Sequence, residues 1–368
     1  MSGLFEVRRR VAHGAGLEAA VAAGESLASA GALLSAWEAA RREVEGAGDV
    51  VQRLLDERGV TDVVVHSGRV WVDRGAGVED AGVALGGERE ARALAVQLAA
   101  RAGVRLDDSR PIVDGVLPSG VRLHAVIPPV AADGTSISLR PLRPGDFGLA
   151  ELVRRGMCDE GAAEVLRALV HERANVVIVG ATGTGKTTLL AALLGLVGAH
   201  ERIVCIEEAA ELRPRHEHVV HLQQRAANVQ GRGEISLAEL VRAAMRMRPD
   251  RIVLGEARGA EVRQMLTALN TGHSGSWFTL HANSAEDVPA RLTALSGLVA
   301  GELALQAGAA LDAVVLLRRE GGVRWVSQIA AVSGSEVLAC VPVAVRAGPD
   351  HPTAGVAEAL SQWQRSSL

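Results

Sequence analysis

The sequence predicts an α/β fold: a larger domain with a parallel sheet between helices, preceded by a smaller α+β domain and a short helical extension. From about residue 149 onward, short apolar runs alternate with helix-like segments, which is typical of parallel strands joined by crossover helices. Between about residues 50 and 140, several runs have apolar residues at every second position, which indicates strands. Before residue 48, apolar residues recur at helical spacing.

The domain boundaries follow changes in these patterns. Residues 1–48 are predicted to be a helical extension, residues 49–144 the α+β domain, residues 145–150 a linker and residues 151–368 the larger domain. The linker is expected because Pro141, Pro144 and Gly145 interrupt the preceding strand pattern. In the α+β domain we expect strands at residues 62–65, 70–73, 121–127 and 136–140, and helices at residues 51–57 and 86–102.

Composition excludes several classes of protein. The net charge is −4, so no global basic field indicates nucleic-acid binding. The three cysteines are scattered and lack the spacing of a zinc or disulfide framework. No apolar run approaches the roughly 20 residues of a membrane span. We therefore expect a cytoplasmic protein that reaches a membrane only through a partner.

A glycine-rich stretch at residues 180–188 has the pattern of a nucleotide phosphate-binding loop. It lies between a predicted strand at residues 175–179 and a predicted helix that begins with residues 189–194, the arrangement in which this pattern binds phosphate. Lys186, the only lysine in the chain, would supply charge to the β- and γ-phosphates, and the Thr187 hydroxyl suits Mg²⁺. The predicted phosphate-binding residues are Gly180, Ala181, Thr182, Gly183, Thr184, Gly185, Lys186, Thr187 and Thr188.

Acidic and histidine side chains follow three further predicted strands. The strands are expected at residues 202–206, 251–254 and 276–280, and the helices of this domain at residues 152–170, 237–246 and 260–269. Glu207 and Glu208 follow the first strand, Glu256 the second and His281 the third. Because parallel strands end at one edge of a sheet, we expect these side chains beside the phosphate loop. The pattern predicts a nucleotide phosphate site that binds Mg²⁺, with Thr187 and Glu208 as the predicted residues nearest the metal.

Four blocks in this order resemble the ATPases of type II and type IV secretion systems. They are the phosphate loop, an acidic run at residues 206–212, the run at residues 247–259 and a histidine run at residues 271–283. Within that superfamily the sequence is most similar to the Tad/Flp pilus assembly ATPases, whose pattern residues 110–114, 125–129 and 270–273 match.

The resemblance implies a RecA-like motor domain hinged to the N-terminal domain, acting as a homohexamer on an inner-membrane platform protein. It also implies a function, an ATP-hydrolysing motor for pilus assembly or protein secretion. By residue matching, Glu256 positions the attacking water. The other matched site residues are Glu207 in the acidic run, His281 with its companion His273, and the N-domain arginines Arg122 and Arg140. Glu208 stands where the family usually has aspartate.

Three other functions remain as alternatives. A RecA-type ATPase acting on DNA, such as a conjugation-linked translocase, would favour a basic or aromatic DNA-binding loop, and the chain has no tyrosine and a negative net charge. A scaffold that binds nucleotide without cleaving it would be expected to lack Glu256 or His281. A small-molecule kinase would need an acceptor pocket and a lid, and no segment indicates either.

Overall fold

The computed structural model describes residues 47–57, 59–75, 77–141, 147–225 and 233–364. The helical extension predicted for residues 1–48 therefore lies almost wholly outside the described residues. The chain divides into two compact units, Met1–Arg143 and Pro144–Leu368.

The first unit is an antiparallel sheet with two described helices. Its elements are α1 (Asp49–Asp56), β1 (Asp62–His66), β2 (Arg69–Asp73), β3 (Val78–Ala84), α2 (Glu88–Arg101), β4 (Ile112–Val116), β5 (Arg122–Val126) and β6 (Ser136–Arg140). The six strands are ordered β3-β2-β1-β6-β5-β4. Strands β3 and β4 were not predicted; β3 has no buried residue and so no apolar alternation to reveal it.

One face of this sheet forms the core of the unit. Alternate residues such as Val63, Leu123 and Leu139 are buried with Ala95 and Leu98 of α2. The residues between them, Arg122 and Arg140 included, lie on the opposite face by the alternation of a strand.

The second unit alternates strands and helices. Its elements are α3 (Leu149–Arg154), α4 (Glu160–His171), β7 (Val176–Val179), α5 (Lys186–Leu194), β8 (Ile203–Glu207), β9 (Val219–Gln223), α6 (Leu237–Ala244), β10 (Arg251–Ala257), α7 (Glu261–Leu269), β11 (Trp277–Leu280), α8 (Val288–Ser296), α9 (Ala300–Ala310), β12 (Ala313–Glu320), β13 (Val323–Ser333), β14 (Ala339–Val345) and α10 (Val356–Gln364). The eight strands are ordered β14-β13-β12-β7-β11-β10-β8-β9.

Two hydrophobic cores sandwich this sheet. Val176 and Ile178 of β7 lie in one core with α4 and α5, whereas Val177 and Val179 lie in the other with α7 and α9. Strand β7 is buried on both faces, which explains why its sequence is continuously apolar and not alternating. Strands β12, β7, β11, β10, β8 and β9 pair in parallel, so their carboxyl ends share one edge. The predicted α/β fold is confirmed.

Two details of the second unit differ from the sequence expectations. The single helix expected at residues 152–170 is two helices, because Gly156 adopts a φ of 76° and Asp159 accepts a hydrogen bond from the N–H of Ala162 as the N-cap of α4. The chain also adds β9 at one edge and β12, β13 and β14 at the other, and none of these four strands was predicted.

No single helix in the described part of the chain has both the length and the apolar character to cross a membrane. Helices α8 and α9, bent by 111° relative to each other, pass that test of length and composition only as a pair.

Candidate active site

The phosphate loop joins β7 to α5 in a conformation that requires glycine. Gly180, Gly183 and Gly185 have φ values of 152°, 74° and 94°. A Cβ at Gly180 would lie 2.6 Å from the carbonyl oxygen of Leu317, and one at Gly185 would lie 2.7 Å from Cε of Met157. Helix α5 begins at Lys186 with no side-chain cap, so its first N–H groups are directed at the loop. This geometry provides an anion site.

Lys186 is buried within this loop. Its Nζ donates hydrogen bonds to the carbonyl oxygens of Gly180 and Ala181, at 2.9 and 3.1 Å. Burial lowers the pKa of the Lys186 ammonium below its ordinary value, although the negative charge of Glu256 opposes this. A desolvated ammonium at the head of a phosphate loop binds anionic oxygen more strongly than one in water.

Glu256 lies at a bulge near the end of β10. The pairing of β10 with β11 shifts by one residue between Leu254 and Ala257, and a bulge re-aims the side chains that it carries. One oxygen of Glu256, Oε1, lies 2.5 Å from Nε2 of His281, which follows β11. Nδ1 of His281 lies 3.5 Å from Nζ of Lys186. The bulge thus completes a chain of contacts from the phosphate loop to Glu256.

Burial and neighbouring charges shift the pKa values of two of these contacting residues, His281 and Glu256. Burial and then the charge of Lys186 lower the pKa of His281, against the opposing effect of Glu256, so the imidazole is neutral at neutral pH. Burial raises the pKa of Glu256, but the hydrogen bond and charge of Arg258, with His281 and Lys186, outweigh it and lower that pKa overall. Glu256 is therefore an ionised carboxylate, which can accept hydrogen bonds.

Arg258 was not among the predicted site residues. Its two terminal nitrogens bridge two carboxylates, one donating to Oε2 of Glu256 at 2.7 Å and the other to Oε2 of Glu208 at 2.8 Å. A signal was present in the sequence, because Glu256 and Arg258 are two residues apart in an extended segment and so lie on one side of it.

Arg324 is a second residue that sequence analysis missed. It lies on β13, and its Nε donates a hydrogen bond to the carbonyl oxygen of Gly183 in the phosphate loop at 2.7 Å. No local pattern links residues 183 and 324, since only the pairing of β12 with β13 brings them together.

Glu207 is held rigidly at the end of β8. Its Oε1 accepts hydrogen bonds from the N–H groups of Glu211 and Leu212, each at 2.9 Å. A Cβ at Gly255 would lie 2.7 Å from Cγ of Glu207, so glycine is needed there for the side chain to fit. The other oxygen, Oε2, is buried and has no hydrogen-bond partner among the described residues; Nδ1 of His221 lies 3.9 Å away.

The remaining predicted residues lie elsewhere. His273 precedes β11 whereas His281 follows it, and the four-residue strand between them spans roughly 13 Å. Nδ1 of His273 lies 3.1 Å from the carbonyl oxygen of Ala268, so this unit does not bring His273 to Glu256. Arg122 and Arg140 belong to the first unit, where they are partners on neighbouring strands and Arg140 pairs with Asp62 at 2.8 Å.

The sequence pattern described as "Type II/IV secretion system protein" matches residues 47–320 of this chain. A Mycobacterium tuberculosis H37Rv protein named as a conjugal transfer protein is 48% identical over 305 residues, covering 80% of this chain and 86% of that protein. Conjugal transfer protein TrbB of Rhizobium radiobacter is 31% identical over 301 residues, covering 80% of this chain and 90% of that protein.

Two solved structures have a similar fold. The pilus retraction motor PilT with bound ADP has a TM-score of 0.56 at 22% identity, covering 86% of this chain and 87% of that one. The ATPase DotB of Legionella pneumophila has a TM-score of 0.52 at 20% identity, covering 74% of this chain and 77% of that one. At these identities the likeness concerns the fold alone.

Proposed function

Since this chain belongs to the type II/IV secretion system protein family, we propose that it is a Mg²⁺-dependent ATPase whose cycle drives a secretion, pilus or conjugal transfer machine. The observation that carries the proposal is the chain of contacts Lys186–His281–Glu256 at the phosphate loop. It joins a phosphate-binding ammonium to an ionised carboxylate through one imidazole.

Hydrolysis at this site needs positioning more than covalent chemistry. The loop N–H groups and Lys186 hold the β- and γ-phosphates, and the Glu256 carboxylate orients a water for in-line attack. Neutral His281 contacts both Lys186 and Glu256, so a γ-phosphate at the loop and the carboxylate can influence one another through it. This supports the role of sensor for His281.

Magnesium fits the donors present. Among the described residues no cluster of three or more acidic, histidine or cysteine side chains could hold a metal unaided, so phosphate oxygens and water would complete the shell. The Thr187 hydroxyl would ligate the ion, and the buried, unpaired Oε2 of Glu207 would accept a hydrogen bond from a metal-bound water. Bound Mg²⁺ neutralises the charge that develops on the phosphates. The ion pair between Glu208 and Arg258 supports a role for Glu208 other than direct metal binding.

The choice of machine rests on the relatives. The Tad/Flp resemblance favours pilus assembly, whereas the names of the M. tuberculosis and R. radiobacter relatives favour conjugal transfer. In both cases we place the chain at the cytoplasmic face, as a homohexamer bound to an inner-membrane platform protein.

On the family resemblance, we also propose that Arg122, Arg140 and His273 belong to the nucleotide site. Arg140→Ala should then lower ATP turnover while the nucleotide still binds. Unchanged turnover in this variant would remove Arg140 from the site.

The purified full-length protein should release phosphate from ATP when Mg²⁺ is present and lose this activity when EDTA removes the metal. The reason is that Thr187, Lys186 and Glu256 act on a metal-bound triphosphate. Phosphate release should return when Mg²⁺ is added back in excess. A preparation that binds ATP but releases no phosphate, alone or with its membrane partners, would refute the proposed enzyme.

A further inference from the structure

The Glu256 carboxylate is held from two sides. Its Oε1 lies against His281, and its Oε2 accepts the hydrogen bond of Arg258 at 2.7 Å. Only the contact with Arg258 is a hydrogen bond, since Oε1 has no hydrogen-bond partner among the described residues. An ionised carboxylate has about four lone-pair sites, so sites remain for a water. Of the two contacts, the one to Arg258 is the charge-assisted contact that persists when the imidazole is neutral.

The second anchor of Arg258 is Glu208. A guanidinium is a rigid planar fork, so a contact at one nitrogen orients the other. With one nitrogen on Glu208 and another on Glu256, Arg258 spans from the acidic run after β8 to the bulge of β10. The backbone N–H of Arg258 donates to Oε1 of Glu261 at 2.6 Å, which fixes the base of the side chain as well.

We propose that Arg258 is a positioning residue that orients Glu256 for its work on the attacking water, and that Glu208 acts through Arg258 and not as a metal ligand. This inference rests on the proposed ATPase function. The pKa effect agrees with the geometry, because Arg258 contributes most to keeping the Glu256 carboxyl ionised against its burial. The carboxylates of Glu208 and Glu256 would repel each other if neither were paired. Arg258 forms an ion pair with both of them, which offsets this repulsion.

Steady-state kinetics of the full-length chain test this inference. Arg258→Ala should lower kcat about 100-fold, the effect of misplacing a reacting group by about 1 Å, and leave KM for ATP within about threefold. Arg258→Lys should recover only part of the loss, because an ammonium cannot bridge both carboxylates. Arg263→Ala, an exposed arginine on α7, is the matched control and should retain wild-type kinetics. Thermal unfolding and binding of a fluorescent ATP analogue show that each variant is folded.

Glu208 variants separate the two roles of that residue. Under the proposal, Glu208→Gln lowers kcat while the Mg²⁺ concentration for half-maximal activity stays as in wild type, and the loss in Arg258→Ala/Glu208→Gln equals that of Arg258→Ala alone. A metal ligand would instead raise the Mg²⁺ requirement, and additive losses would show that the two residues act separately.

Several results would overturn the inference. Arg258→Ala could keep the wild-type kcat, or it could be faster than wild type, which would mean that Arg258 masks Glu256. Glu208→Gln could raise the Mg²⁺ requirement, or the losses of the two single variants could add in the double variant. An inactive wild-type protein would instead overturn the ATPase proposal, so the two failures are distinct.

Discussion

Replacing Glu256 by glutamine should lower kcat for ATP hydrolysis by about 10²- to 10⁴-fold, the usual contribution of a positioned general base. Glutamine keeps the size of the side chain but loses the negative charge that accepts a proton or aligns the water. It also weakens the contacts that Glu256 makes with His281 and Arg258. Phosphate release under saturating ATP measures the loss.

ATP binding should survive the same change, since the phosphate loop and Lys186 are left intact. A fluorescent analogue should therefore bind Glu256→Gln with a Kd close to that of wild type. Glu302→Gln, an exposed change on α9, is the control for glutamate-to-glutamine substitution. Wild-type turnover by Glu256→Gln would exclude the water-positioning role, and loss of nucleotide binding would assign Glu256 to the binding site instead.

Replacing Lys186 by alanine should weaken ATP binding about tenfold to 100-fold or more, since a hydrogen bond from a charged group is worth about 1.5–3 kcal/mol. Hydrolysis should then fall below detection at ordinary ATP concentrations. Lys186→Arg should not restore binding, because the planar guanidinium does not fit where Nζ reaches the carbonyl oxygens of Gly180 and Ala181.

Because Lys186 is the only lysine in the chain, amine-directed chemistry offers an independent readout. An amine reagent should label the N-terminal amine quickly and Lys186 more slowly, because Lys186 is buried. The lowered pKa of Lys186 leaves more of it in the reactive neutral form. ATP should protect the peptide that contains Lys186 and leave labelling of the N-terminal peptide unchanged. Equal labelling of Lys186 with and without ATP would contradict a role in phosphate binding.

The sequence could reveal much of the second unit because its signals are local. A buried parallel strand such as β7 is continuously apolar, and a loop such as residues 180–188 must contain glycines where its backbone turns. Strands that end in Glu207, Glu256 and His281 could be placed at one edge because parallel strands end together.

Two edge strands, β3 and β9, were not predicted because they lack such a local signal. Strand β3 buries no residue, and β9 is only partly buried, so neither carries the apolar pattern that identifies a strand. What makes them strands is hydrogen bonding to a neighbour, β2 and β8 respectively, which no window of sequence displays.

By itself, then, the sequence determined the phosphate loop, the strands that bear acidic and histidine residues, and the edge at which those strands end. Each of these follows from the period and spacing of nearby residues. Only the tertiary structure decided how those side chains meet. The one-residue bulge in β10 directs Glu256 to His281, β11 separates His273 from that contact, and the fork of Arg258 joins Glu256 to Glu208. Such contacts depend on strand register and on the reach of long side chains across neighbouring strands, which residue spacing along the chain does not specify.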